Sequence, residues 1–222
     1  MCLTTTEWIL LGTTLFLGVT ALFVPFISEW IKRGLFAPKL KIEFSFAPPY
    51  CHKTTWKPTN DPVYYFRFMV KNEGKSQARH CEVVLEELWT MDASGIYQQE
   101  KNFSPVNLRW VGLAEQFINI NPKRRLFCDI GHLSHPNFQA NQRSPDFQLS
   151  GGQDPEDLKF FFDLQIFFFS QMGYLTKGNH KIKICVYSEN AKQICKEFFI
   201  FWTGTWKDKE PEQFRELVIS TK

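Results

Sequence analysis

The chain lacks almost every short motif that carries chemistry. It has no G-x-x-x-x-G-K-[ST] and no G-x-G-x-x-G, so no loop is built to cradle phosphates and nucleotide binding has no warrant. No G-x-S-x-G elbow occurs, and neither C-x-x-C nor H-E-x-x-H is present, which removes the strongest signals for a serine hydrolase or a zinc site. Charge of one sign is also missing. A net charge of +3 is too small to argue for nucleic acid. After residue 35 no segment shows a helical period, which excludes an α-helical body.

What is present begins with one long uncharged run. Trp8 to Ser28 carries no charged residue and is bracketed by Glu7 and Glu29. At about 1.5 Å per residue it matches the ~30 Å hydrocarbon core of a bilayer. Trp8 and Trp30 stand at the two headgroup levels. A membrane helix over about 8–30 is therefore expected, with Pro25 kinking its last turns and Thr14 with Gly18 forming one small-xxx-small pair. The alternative is a cleaved signal peptide. Nothing basic precedes the run, it exceeds an h-region, and SEWIKRG offers no cleavage site, so a retained anchor is preferred. No Lys or Arg precedes the run, whereas Lys32, Arg33, Lys39 and Lys41 follow it. The positive-inside rule then places the N-terminus outside and the body in the cytoplasm. Six cysteines without framework spacing agree with free thiols in a reducing compartment. An extracytoplasmic body would need paired thiols, Cys81 with Cys185 first.

The body, residues 36–222 behind an N-terminal segment 1–35, is one domain of ordinary size. Mean hydropathy is −0.26 despite the anchor, so the remainder is water-soluble, and 23 phenylalanines favour strands. Leu40, Ile42, Phe44 and Phe46 alternate with polar residues. So do Tyr64, Phe66, Phe68 and Val70, and then Cys81, Val83 and Leu85, after which the phase slips to Leu88 as at a bulge. Short strands are predicted around Leu108 and Trp110, from Arg124 onward, and over Phe160, Phe162, Leu164, Ile166 and Phe168. A hairpin pairs Ile182, Ile184 and Val186 with a return through Phe199 and Phe201. Residues 50–62 and 134–156 read as loops. The tail after Pro211 is a short helix or a last strand. The predicted fold is mainly β, an antiparallel immunoglobulin-like β-sandwich of about eight strands behind one N-terminal transmembrane helix.

Val70, Asn72, Gly74, Ala78, Cys81 and Val83 form a V-x-N-x-G unit followed by alternating apolar positions. This resembles the strand–turn–strand of CARDB-like and other immunoglobulin-like modules over about a tenth of the chain. The resemblance implies a binding or spacing module without a catalytic centre, of a kind often found outside the cytoplasm.

Cys128-x-x-x-His132-x-x-His135 is the most tempting metal set, with Cys51-His52 and His80-Cys81 as further ligands. Buried structural cysteines and loop histidines are the preferred reading, so no metal, cofactor or catalytic residue is expected. Lys123, Arg124 and Arg125 can meet phosphate or, with the basic residues after the anchor, anionic lipid; a solvated turn is the plainer reading. Trp202 and Trp206 either close the core or form a ligand platform, the former being commoner. The expected function is a membrane-anchored, non-catalytic interaction or adaptor module whose partners are the bilayer and another protein, not nucleic acid. The alternatives are an effector that homo-oligomerises through its anchor and senses a ligand, and a zinc-dependent enzyme.

Overall fold

The structure, a computed structural model, describes residues 4–57, 60–136, 158–165 and 173–221. The chain opens with helix α1, Thr5–Phe36, which contains Pro25. Leu10, Leu15, Phe16, Leu17, Leu22 and Phe23 are all exposed. Three of them are consecutive, so the apolar surface runs around the helix and is not a stripe along one face. The hydroxyls of Thr13, Thr14 and Thr20 donate back to carbonyls one turn earlier, at Leu10, Phe16 and Leu17. Among the described residues no helix is long and apolar enough to cross a membrane. The transmembrane helix expected over 8–30 is a helix, but the described residues do not support its crossing.

Behind it stand two antiparallel sheets, β1 (Leu40–Glu43), β2 (Cys51–Trp56), β3 (Asp61–Asn72), β4 (Ala78–Met91), β5 (Tyr97–Gln99), β6 (Val106–Asn107), β7 (Ile118–Ile120), β8 (Arg125–Ser134), β9 (Phe160–Phe162), β10 (Tyr174–Leu175), β11 (Gly178–Tyr187), β12 (Ile194–Trp202) and β13 (Leu217–Thr221) contributing in chain order. The first sheet runs β1-β3-β8-β9-β10, with β1 and β2 end to end along one edge of β3. The second runs β13-β12-β11-β4, and β5, β6 and β7 follow one another along the far edge of β4. The predicted sandwich is thus formed, with more and shorter strands than the eight expected. The loop read over 50–62 holds β2, whose residues CHKTTW alternate too weakly in hydropathy to announce a strand, while the loop read over 134–156 from residue 137 onward, and Ile166 and Phe168 of the predicted strand, lie outside the described residues.

Inward-facing Phe66, Phe68, Phe160, Phe198, Trp110 and Trp202 fill the space between the sheets. Buried aromatic heads find partners, as burial requires. Trp202 Nε1 donates to Leu158 O (2.9 Å) and the Tyr64 hydroxyl donates to Lys207 O (3.0 Å). Trp202 therefore closes the core, and Trp206 packs on Tyr64 with ring centroids 5.0 Å apart. The tail is both a helix, α2 (Glu210–Glu216), and the strand β13. In β12 the inward residues are Phe198, Ile200 and Trp202, the opposite phase to the predicted Phe199 and Phe201. The phase slip in β4 is a bulge. Lys183 faces Glu87 while Ile184 faces Leu85, leaving Glu86 as the extra residue.

The V-x-N-x-G unit has a structural task. Asn72 is fully buried. Its Oδ1 accepts from the backbone N–H of Gly74 (2.9 Å) and Lys39 (3.2 Å), and its Nδ2 donates to Ser76 O (2.8 Å) and Ile120 O (2.9 Å). A Cβ on Gly74 would clash with the backbone atoms Lys39 N, Ala37 O and Pro38 Cα. The segment between helix and sandwich is thus pinned to the β3–β4 turn.

Free thiols throughout were expected, and the structure corrects this. Cys185 and Cys195 face each other across β11 and β12 and are joined in a disulfide. Cys81, the first candidate partner for Cys185, is a buried free thiol, as are Cys51 and Cys128.

Candidate functional site

A half-buried polar cluster lies on the outer face of the first sheet, and a bulge creates it. Phe66 faces Gly131 while Arg67 faces Asp129, so Ile130 is the extra residue in β8. In an unbroken strand, residues three apart point to opposite faces and residues four apart share one. The inserted residue reverses both relations. Asp129 and His132 now share the outer face, opposite Arg67 and Tyr65, while Cys128 points into the core.

This geometry disperses the sequence-derived metal set. Cys128 is fully buried among apolar side chains, which push its thiol well above the ordinary range. His132 lies on the outer face of the sheet. His135 sits at the end of the sandwich, its ring 5.2 Å from that of Trp206. Among the described residues no group of three His, Cys, Asp or Glu side chains could hold a metal.

Around His132 the structure builds something else. The imidazole stacks between Phe161 (5.7 Å, 23°) and Trp56 (6.5 Å, 26°), with Tyr65 tilted at 5.7 Å. Its Nδ1 meets Asp163 Oδ1 at 3.0 Å. Gly131 permits the close approach of β9, because a Cβ there would stand within van der Waals radii of the Phe161 carbonyl and the Phe160 ring. Arg67 lies over the Tyr65 ring at 5.5 Å and its Nε is 3.2 Å from Asp129 Oδ1. That pair is close in distance but poorly aimed, so both atoms remain without a hydrogen bond, as does Asp163 Oδ2.

Burial, and then the charge of Asp163, push the Asp129 carboxyl up to about 7, against the opposing pull of Arg67 and His132. His52, which faces Tyr65 on the neighbouring strand, has its imidazole pushed down by burial and by Arg67. The cluster can therefore take up and release a proton near neutrality. Burial raises the thiols of Cys51 (to about 12), Cys81 and Cys128, which makes them poor thiolates.

The remaining predicted positions separate into two groups. Lys123 and Arg124 are exposed in the turn entering β8 and Arg125 is exposed as its first residue; Lys123 adopts a left-handed φ of 64° and its N–H donates to Asn72 O (2.7 Å). On α1, Trp8 is exposed and a Cβ on Gly18 would meet nothing within 4 Å. Trp30, Lys32 and Arg33 lie on the helix, with side chains outside the described residues. The Asp129–Asp163–Arg67 cluster was not found from sequence. Its signal was the parity break in RLFCDIGHLS, where Cys128, Ile130 and Leu133 cannot all face inward without a bulge.

No family model matches the chain, and no curated protein does.

Proposed function

We propose that this chain is a single-span membrane protein presenting an immunoglobulin-like β-sandwich as a non-catalytic binding module for another protein at the bilayer. The observation that carries this is the helix. It contains the charge-free run 8–28, bracketed by Glu7 and Glu29, and exposes Leu, Phe and Trp around its circumference. Alkaline carbonate extraction of membranes tests it. The full chain stays in the pellet, and a Phe16→Lys/Leu17→Lys variant is displaced toward the supernatant, since each central lysine costs about 2.5–3.5 kcal/mol of insertion. Release of the unmodified chain by carbonate would sink the proposal.

The basic residues after the uncharged run, Lys32, Arg33, Lys39 and Lys41, favour a cytoplasmic body. The Cys185–Cys195 disulfide favours a second reading, with the body on an oxidising side. Protease digestion of sealed vesicles of known orientation decides between them. Self-association through Thr14 and Gly18 is a further reading. The open space at Gly18 means that Gly18→Leu leaves the monomer undisturbed, so loss of a detergent-stable oligomer in that variant would be specific.

A further inference from the structure

We infer that the end of the sandwich beside the helix exit is a docking surface for anionic lipid headgroups, an inference that rests on the membrane-anchored reading above. Strand register brings Lys41 opposite Lys71 and Lys71 opposite Arg125 on three neighbouring strands, so three cations lie in one row across the sheet. At about 4.8 Å between strands that row is about 10 Å long. Glu43 and Glu73 neutralise it only in part, pairing with Lys41 (3.0 Å) and Lys71 (2.8 Å).

More cations gather at the same end. Lys39 precedes Lys41 on the exposed side of the pinned segment, and Lys123 and Arg124 fill the turn bonded to Asn72. Lys75 lies in the β3–β4 turn with its Nζ 5.6 Å from the ring centre of Phe36, the last helical residue. These seven cations stand against two carboxylates, whereas the whole chain is only +3, so everything outside this end is net acidic. Position then makes the charge useful. Attraction to a charged surface fades over about 8–10 Å at physiological salt. The clamp of Asn72 and Gly74 on Ala37–Lys39 holds this end of the body within a few residues of the helix terminus, where the headgroups would lie.

The test uses the full chain in nanodiscs of neutral phosphatidylcholine and of phosphatidylcholine with phosphatidylserine, followed by amide hydrogen exchange of residues 71–76 and 121–125. Expected is a slowing of at least fivefold in the anionic discs, lost in 0.5 M salt. The slowing is also lost in an Arg124→Gln/Arg125→Gln variant with an unchanged urea midpoint, since each cation near an anionic surface is worth roughly fivefold in partitioning. Equal exchange in the two lipids overturns the inference and leaves the anchor standing. The same slowing in neutral discs on adding inorganic phosphate overturns it in favour of a soluble anion. A chain that fails to enter neutral discs at all removes the anchor reading instead.

Discussion

Replacing Asn72 with alanine tests whether the V-x-N-x-G unit is a clamp. The side chain makes four hydrogen bonds from a fully buried position, two accepted and two donated. A neutral hydrogen bond contributes about 1 kcal/mol net, and a buried group left unpaired costs about 1–3 kcal/mol. Lys39 and Gly74 would lose the acceptor of their N–H groups, and Ser76 and Ile120 a donor to their carbonyls. The expected loss is therefore roughly 3–5 kcal/mol, reduced where water reaches the rim. For a domain of this size that is a fall in Tm of about 6–20 °C. Urea unfolding of the full chain in detergent, followed by tryptophan fluorescence, gives the number. Gly74→Ala should cost a comparable amount by another route, because its Cβ would meet backbone atoms of Ala37, Pro38 and Lys39 that no rotamer change can move. Both changes release the same segment, so the double variant should lose less than the two losses added. A loss below 1 kcal/mol in Asn72→Ala, or full additivity with Gly74→Ala, would refute the clamp.

Three further outcomes are expected. An unfolded aspartate titrates near ~4, while Asp129 is held at about 7, so between these values the native state keeps a proton that the unfolded state has released. Stability should therefore fall as pH rises through about 4 to 7, by up to about 1.4 kcal/mol per unit, and Asp129→Asn should flatten that slope in urea titrations; an unchanged slope contradicts the assignment. Reducing the Cys185–Cys195 bond, or replacing both cysteines with serine, should cost about 2.7 kcal/mol for a link between residues separated by 10 positions, read as the urea midpoint with and without reductant. In a Cys2→Ser background under non-reducing conditions, Cys51, Cys81 and Cys128 should resist alkylation at pH 8 until the protein is unfolded, because burial keeps all three protonated; rapid labelling of the native protein by mass spectrometry would contradict this.

The fold was legible where one face of a strand is buried and the other wet, because alternation then writes the burial directly into the sequence. Val63 to Asn72 and Gly178 to Tyr187 show this, and so does the slip at Glu86, whose bulge follows from the residue types alone. It was not legible in β2, where His52, Lys53 and Thr54 are all half-buried and give no contrast between faces. In β12 the run Phe198 to Trp202 is apolar on both faces, so composition cannot choose the phase; pairing with β13 chooses it by burying Ile200 and Trp202. The disulfide was missed for a similar reason. Cys185 and Cys195 are ten residues apart, and only the hairpin register shows that they are cross-strand neighbours.

The candidate site adds a sharper point about spacing motifs in β proteins. Metal-ligand patterns assume that sequence distance fixes which face a side chain occupies. With a period of two, one inserted residue reverses every such assignment downstream. Ile130 is that residue: it separates Cys128 from His132 and places His132 on the face of Asp129 and Arg67. The cluster so formed is costly, since poorly aimed buried charges seldom recover their desolvation, and apolar residues of similar size are often the more stable choice. Asp163 and Asp129 raise the cost by repelling one another. The fold tolerates it by stacking His132 between Phe161 and Trp56 and by laying Arg67 on Tyr65. If the cost is offset by nothing but these rings, removing the charge should help. Asp129→Asn then keeps the shape while abolishing the repulsion, and at pH 8 it should be neutral to stabilising in the urea midpoint. A marked destabilisation at that pH would instead mean that the Arg67–Asp129 attraction outweighs both burial and repulsion.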